Sequence, residues 1–552
     1  MRGTSRGQVM AVIAGVLLAA CSGGSSQPKG GETLTLVSGD GQIDAPGGTL
    51  PESLVVRLVD GQSAGVSGAT ITWSVQSGAG SLAPTSTVTD GSGRAAASWT
   101  LGAAVGPQSV TASTGGSTVT FAATATTGPL PHLGVTTQPT AAFSGVSFST
   151  HPVLQLLDGS GAPLAQAGVA VKVALSSPPA FSSLSGTTTA TTGAGGAATF
   201  SNLSIRGPVG NYTLRFTASG FSGVNAAPLQ LTNQDGRIPL TDMGTTFLYL
   251  GQYSGGLYPN GANSPPAAHA AAGAARARAV TPRGTNGNPN ASGSIVLMSI
   301  GMSNATQEWC GLTPFNCESW TFTGQALADP AVDRTALRIM NGAKGGQTAG
   351  SWDNPTDPNY DRVRDSVLAP QGLTEAQVQI VWLKDANPDP VDSLPSPTAD
   401  ANTLVMQFGG ILRALKTRYP NLQMVFMASR IYAGYAVSNL NPEPYAYQSG
   451  LAVKRVIQAQ IDQMANGGTV VDQLAGNLNY STGVAPWVAW GPYLWADGLN
   501  PRSDGLIWVQ SDFESDGTHP GTSGETKVGG MLLNFFKTDP RTSCWFTGQA
   551  CP

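Results

Sequence analysis

The chain has 552 residues, which at about 150 residues per domain suggests three or four domains. Hydrophobic residues at 41% supply cores and exclude wholesale disorder, while a formal net charge of −4 argues against a nucleic-acid partner. The only histidines are His132, His151, His269 and His519, so His-rich metal sites are excluded and few catalytic bases remain.

Arg2 and Arg6 precede the apolar run Val9–Ala20, which ends in Leu18-Ala19-Ala20-Cys21. A charged flank, a short apolar stretch and small residues at the cut predict a secretory signal over 1–20. The run is too short to persist as a spanning helix. Leu-Ala-Ala-Cys resembles the bacterial lipobox, which implies cleavage before Cys21, a lipid on its thiol and anchorage to a membrane. Ordinary signal cleavage is the competing reading. Residues 21–30, with Ser22-Gly-Gly-Ser-Ser-Gln-Pro28, predict a flexible tether. The expected location is the bacterial cell envelope, at the outer membrane or cell surface.

Up to Asp235 the chain is rich in Thr, Ser, Gly and Val. Ser53–Val59 and Ala69–Val75 alternate as half-buried strands do, with Gly, Asp and Pro clusters between such runs. An internal repeat is visible. Val56-Arg-Leu-Val-Asp-Gly61 matches Leu154-Gln-Leu-Leu-Asp-Gly159, and Thr89-Asp-Gly-Ser-Gly-Arg-Ala95 matches Thr191-Thr-Gly-Ala-Gly-Gly-Ala197. Val110-Thr-Ala-Ser113 likewise matches Phe216-Thr-Ala-Ser219. Two all-β sandwiches are predicted, over 31–127 and 128–235. The first resembles bacterial immunoglobulin-like domains of the invasin/intimin type, through Ile71-Thr-Trp-Ser74, Thr89-Asp-Gly-Ser-Gly93 and Ser98-Trp-Thr-Leu-Gly102. The resemblance implies a stalk. Neither copy has the Tyr, Trp and Arg density of a binding hot spot.

Beyond Asp235 lie nine of the eleven tryptophans and the remaining cysteines. In an exported chain Cys310, Cys317, Cys544 and Cys551 can pair in three ways, of which two local bridges are the simplest. Zinc ligation is the competing reading, disfavoured by long spacings without a nearby His. A domain over 236–552 is expected, with an irregular arm at about 259–294. Apolar runs at 294–300, 336–340, 378–383 and 422–427 predict strands, and Leu404, Val405, Phe408, Ile411, Leu412 and Leu415 predict a helix. A final helix carries Val528, Met531, Leu532 and Phe535, with Thr522 and Glu525 as a capping box. Alternating β and α elements imply a parallel sheet covered by helices, with the site at the strands' C-terminal ends.

Gly301-Met-Ser-Asn304 follows the first of these strands, where a tight turn can present Ser303 to a base. The base is His519, in Ser515-Asp-Gly-Thr-His-Pro-Gly521, with Asp516 placed to orient the imidazole. His269 stands in an Ala- and Pro-rich stretch poorly suited to chemistry. Each motif alone also fits an ordinary turn. Together they resemble the two ends of the SGNH (GDSL-like) hydrolase family across roughly 237–552. Gly301-Met-Ser-Asn304 is nearest to the carbohydrate and sialic-acid acetylesterase branch. Asn441-Pro-Glu-Pro-Tyr-Ala-Tyr447 and Trp490-Gly-Pro-Tyr-Leu-Trp-Ala-Asp497 are similar to SGNH-like exported bacterial proteins.

The resemblance implies an α/β/α, flavodoxin-like domain that cleaves esters of acylated carbohydrates without metal or organic cofactor. It implies Ser303 as nucleophile, His519 as base and Asp516 as its partner. The oxyanion would be held by N–H groups of Ser303 and Gly346. Asn387 or Lys384, in Trp382-Leu-Lys-Asp-Ala-Asn387, would complete that hole, although neither falls in the family's register.

Trp309, Trp352, Trp490, Trp495 and Trp508 are either sugar platforms or core. Arg430 either holds a carboxylate or makes a surface salt bridge. The acidic run Asp385–Asp392 reads as a solvated loop rather than a calcium site. A rival from another class is a catalytically silent surface adhesin or glycan-binding lipoprotein. No P-loop and no His-Glu-x-x-His pair is present.

Overall fold

The protein is described here by a computed structural model covering residues 32–551 except 62, 63, 141, 312 and 314. The expected signal, tether and lipid-bearing Cys21 lie outside the described residues.

The first domain is a sandwich of two sheets. One sheet orders Thr33–Ser38, Leu54–Val59, Arg94–Thr100 and Ser81–Ala83. The other orders Gln42–Asp44, Ser117–Ala125, Gly106–Thr114, Thr70–Ser77 and Ser86–Val88. Leu54, Val56 and Leu58 are fully buried while their neighbours are half-exposed, the period-two pattern of a one-sided strand. Trp73, Trp99 and Phe121 fill the space between the sheets.

The second domain, with strands from His132 to Thr232, packs Leu154, Val171, Phe216 and Leu231 in its core. The repeat reaches into its details. A bulge between Leu36 and Ser38 in the first domain recurs between Val135 and Thr137 in the second. Buried Thr89 accepts from the Ala69 N–H at 2.9 Å and donates to the Val66 carbonyl at 2.7 Å. Thr192 does the same with Val169 at 3.0 Å and Gln166 at 2.8 Å. Thr89 therefore corresponds to Thr192, one residue away from the expected match to Thr191. A Thr-Thr pair conceals that register in the sequence.

The C-terminal region is a parallel sheet between helices. Its strands are β1 (Ile295–Gly301), β2 (Leu337–Asn341), β3 (Val378–Lys384), β4 (Met424–Met427) and β5 (Trp487–Trp490). Their spatial order is 2-1-3-4-5, all parallel. Every residue of β1, β3, β4 and β5 is buried, which is why these strands are mostly apolar, whereas edge strand β2 leaves Arg338 and Ile339 half-exposed. Val296, Met298 and Ile300 pack toward helices α4 (Asp400–Arg418) and α5 (Tyr445–Ala465). Ile295 and Leu297 share the opposite core with α1 (Ala267–Ala279), α2 (Ser303–Trp309), α3 (Phe322–Ala328) and α6 (Thr522–Thr538). Among the described residues no helix is long and apolar enough to cross a membrane.

Several expectations need correction. The arm at 259–294 is not wholly irregular, because it holds α1, whose His269 is buried against Trp487 with Nε2 2.8 Å from the Val488 carbonyl. Burial pushes the His269 pKa down to about 4, so it remains a neutral packing group. Trp309, Trp352, Trp490, Trp495 and Trp508 are at most 2% exposed, so all five are core rather than sugar platforms. Asp385 is 1% exposed and is no part of a solvated loop. The cysteines pair locally, Cys310 with Cys317 and Cys544 with Cys551.

The capping box of α6 is absent. Gly521 occupies the N-cap, and buried Glu525 accepts from Trp320 Nε1 at 2.6 Å. Burial pushes the Glu525 pKa up to about 7, against that hydrogen bond and with Glu308, Glu514 and Glu318 adding to the rise. A raised carboxyl contributes stability that is complete below its unfolded pKa and lost as pH rises through about 7. Glu525→Gln keeps the acceptor and removes the titration. Its advantage in melting temperature over the wild type should therefore grow between pH 5 and pH 8, equivalent to roughly 1–2 kcal/mol. A constant difference across that range would contradict this account.

Candidate active site

Three turns at one sheet edge build the site. The first follows β1, where Gly301 has φ +139°. A Cβ there would lie 1.9 Å from the Lys384 carbonyl oxygen, so β1 can approach β3 this closely only with glycine. Met302 is extended and Ser303 opens α2. The strand order reverses direction between β1 and β3, the switch point at which doubly wound sheets open a crevice.

The second turn, Glu514–Gly521, precedes α6. Asp516 Oδ1 accepts from the N–H groups of Thr518 at 2.9 Å and His519 at 3.0 Å, and Oδ2 lies 2.5 Å from His519 Nδ1. His519 Nε2 is 2.8 Å from Ser303 Oγ. Burial raises the Asp516 pKa, but the hydrogen bonds from the His519 ring and the two N–H groups outweigh it and hold the carboxyl below its usual range. An ionised Asp516 places the proton on Nδ1 and leaves Nε2 as an acceptor for the serine hydroxyl.

Neighbouring side chains hold this turn in place. Asn304 Nδ2 donates to the Thr518 carbonyl at 3.0 Å, tying the histidine turn to α2. Arg430 Nη1 donates to Asn304 Oδ1 at 3.1 Å. The Val437 N–H donates to the Asp516 carbonyl at 3.0 Å, bringing in the segment after β4. Beneath the site, Ser299 Oγ donates to Asn341 Oδ1 at 2.7 Å and Asn341 Nδ2 to Thr306 Oγ1 at 2.6 Å. This network joins β1, β2 and α2.

Ser303, Gly345 and His519 stand between two cavities. The larger, about 860 Å³, is walled by Lys344, Arg362 and Glu514. The smaller, about 380 Å³, contains Gly346, Asn387, Arg430 and Asn441. Gly346, in the third turn, has φ +75° and borders the same space as Ser303. Asn387 is there too, but its Nδ2 donates to Gln407 Oε1 at 2.7 Å and lies 3.5 Å from Asp400 Oδ1. Its amide is committed elsewhere. Lys384 is excluded as an oxyanion donor, because its ammonium is buried against Glu308 at 2.5 and 2.6 Å.

Arg430 is also corrected: it is 2% exposed and makes no surface salt bridge. Asn304 was present in the sequence motif, yet its positioning role had no local signal, since Thr518 is 214 residues away. Among the described residues no group of three or more His, Cys, Asp or Glu side chains could hold a metal ion.

A family model described as SMCHD1 Ig-like domain 6 matches residues 129–230. No curated protein matches the chain. Among solved structures, the D0–D1 domain of intimin is 16% identical over 36% of this chain and 97% of its own, with a TM-score of 0.16. The Yersinia pseudotuberculosis adhesin InvE is 19% identical over 36% of this chain and 58% of its own, with a TM-score of 0.15. Invasin, a bacterial integrin-binding protein, is 18% identical over 39% of this chain and 41% of its own, with a TM-score of 0.15. The chain thus contains, at residues 129–230, a domain similar to a known immunoglobulin-like family.

Proposed function

We propose that the C-terminal domain is a serine ester hydrolase of the SGNH type, deacylating carbohydrate esters at a cell surface, with the immunoglobulin-like domains as its stalk. The observation that carries this reading is the hydrogen-bonded series Ser303–His519–Asp516, at 2.8 and 2.5 Å, opening onto cavities at the sheet's switch point. In this mechanism Ser303 Oγ attacks the ester carbonyl while His519 Nε2 takes its proton. Asp516 stabilises the imidazolium that forms. The N–H groups of Ser303 and Gly346 receive the oxyanion, and Asn387 joins them only by releasing Gln407. His519 then protonates the leaving alcohol, and water, activated by the same base, frees the acid.

The test is turnover of p-nitrophenyl acetate and of an O-acetylated polysaccharide by the full chain. Release of acid from both is expected, and release from neither by the folded protein would defeat the reading. A second reading, a surface adhesin or glycan-binding protein without catalysis, is favoured by the two immunoglobulin-like domains. It expects glycan binding that Ser303→Ala leaves intact, with no ester turnover.

A further inference from the structure

The smaller cavity is lined by a buried cation whose guanidinium is hydrogen-bonded to no carboxylate. Arg430 is 2% exposed, and its hydrogen-bond partners are all neutral: Asn304 Oδ1 at 3.1 Å, the Leu440 carbonyl at 3.5 Å and Met302 Sδ at 3.6 Å. Its Nε has no partner. None of the surrounding carboxylates hydrogen-bonds to the guanidinium. Glu308 is held by Lys384, and Asp516 by His519. Glu443 accepts from Trp495 Nε1 and from the N–H groups of Ala433 and Tyr447. Asp385 is 1% exposed; its Oδ1 accepts from the Ala386 N–H at 2.8 Å and its Oδ2 has no partner, so it does not bond the guanidinium either.

A guanidinium removed from water is costly unless an anion compensates it. A carboxylate is the partner it binds best, through charge-assisted hydrogen bonds. The cavity adjoins Ser303 and Gly346, on the side of the proposed oxyanion donors, which suits it to the acyl part of the substrate. At about 380 Å³ it has room for about a dozen waters of about 30 Å³ each, far more than an acetyl methyl requires. Asn441, which adjoins Leu440, borders the same cavity and keeps Oδ1 buried and unpartnered. An acceptor there disfavours a second anionic oxygen, so the subsite takes one carboxylate.

We propose that this cavity is the acyl subsite and that Arg430 selects esters whose acyl group ends in a carboxylate, the half-esters of short dicarboxylic acids. The proposal rests on the hydrolase reading and specifies its acyl group.

The test compares p-nitrophenyl hemisuccinate with p-nitrophenyl butyrate on the full chain, alongside calorimetric titration with succinate. Wild type should prefer the hemisuccinate at least tenfold in kcat/KM. Arg430→Gln should erase that preference mainly through KM, and Arg430→Lys should restore part of it. Asn441→Asp, at a position of φ +58° that Asp tolerates, should lower the preference by adding a negative charge. Equal or better use of butyrate by wild type, or an unchanged ratio in a folded Arg430→Gln, would overturn the subsite while leaving the hydrolase intact. Absence of turnover on both esters defeats the hydrolase reading instead. Succinate binding then decides the subsite alone: binding lost in Arg430→Gln supports it, and no binding by wild type overturns it.

Discussion

Ester hydrolysis by the full chain should fall at least about 10⁴-fold when Ser303 or His519 is replaced by alanine. Each change removes one end of the 2.8 Å contact through which, in the proposed mechanism, the hydroxyl loses its proton. Because the two groups act as a unit, the double variant should be no slower than either single one. Asp516→Asn should cost a comparable factor for a different reason. An amide nitrogen or oxygen at the Oδ2 position, 2.5 Å from His519 Nδ1, no longer enforces the tautomer that leaves Nε2 free to accept. Initial rates with p-nitrophenyl acetate measure all three. A loss below tenfold for Ser303→Ala would place the chemistry elsewhere.

Unfolding of the C-terminal domain should be about 3–5 kcal/mol easier in Lys384→Met. Lys384 and Glu308 are both fully buried side chains, 2.5 Å apart. Burial pushes the Lys384 pKa down to about 8 and the Glu308 pKa up, each opposed by the partner's charge. Removing the cation alone leaves an uncompensated carboxylate beneath α2, the helix that presents Ser303. Replacing both, as Glu308→Leu with Lys384→Met, removes both desolvation costs and should be neutral or stabilising by about 1–4 kcal/mol. Urea denaturation followed by tryptophan fluorescence reports this domain, since nine of eleven tryptophans lie in it. A single variant as stable as the double one would contradict the account.

Much of the sheet was legible because fully buried parallel strands are apolar along their whole length. The runs at 294–300 and 378–383 fall within a residue of β1 and β3. Strand β5 was missed: Trp487–Trp490 is only four residues long and has Pro486 before it and Gly491 after it. Helix α5 was missed as well. Its buried face includes Gln448, Ser449, Gln460 and Gln463, polar residues satisfied by distant partners, so its apolar stripe is broken in the sequence. Ser303, Asp516 and His519 could be singled out because turn residues and a scarce histidine mark them. The surrounding shell could not. The sequence offered Arg430 as a carboxylate holder or a surface salt bridge and Lys384 as an oxyanion donor, whereas their burial follows from contacts to Asn304 and Glu308 that lie 126 and 76 residues away.

The central claim is that Ser303 is activated by His519, and covalent capture tests it most directly. The full chain, treated with a fluorophosphonate and digested, should carry one adduct, on Ser303, at a rate that falls with His519→Ala and vanishes with Ser303→Ala. A folded wild-type chain that takes up no adduct, or takes it up equally well without His519, would contradict the account.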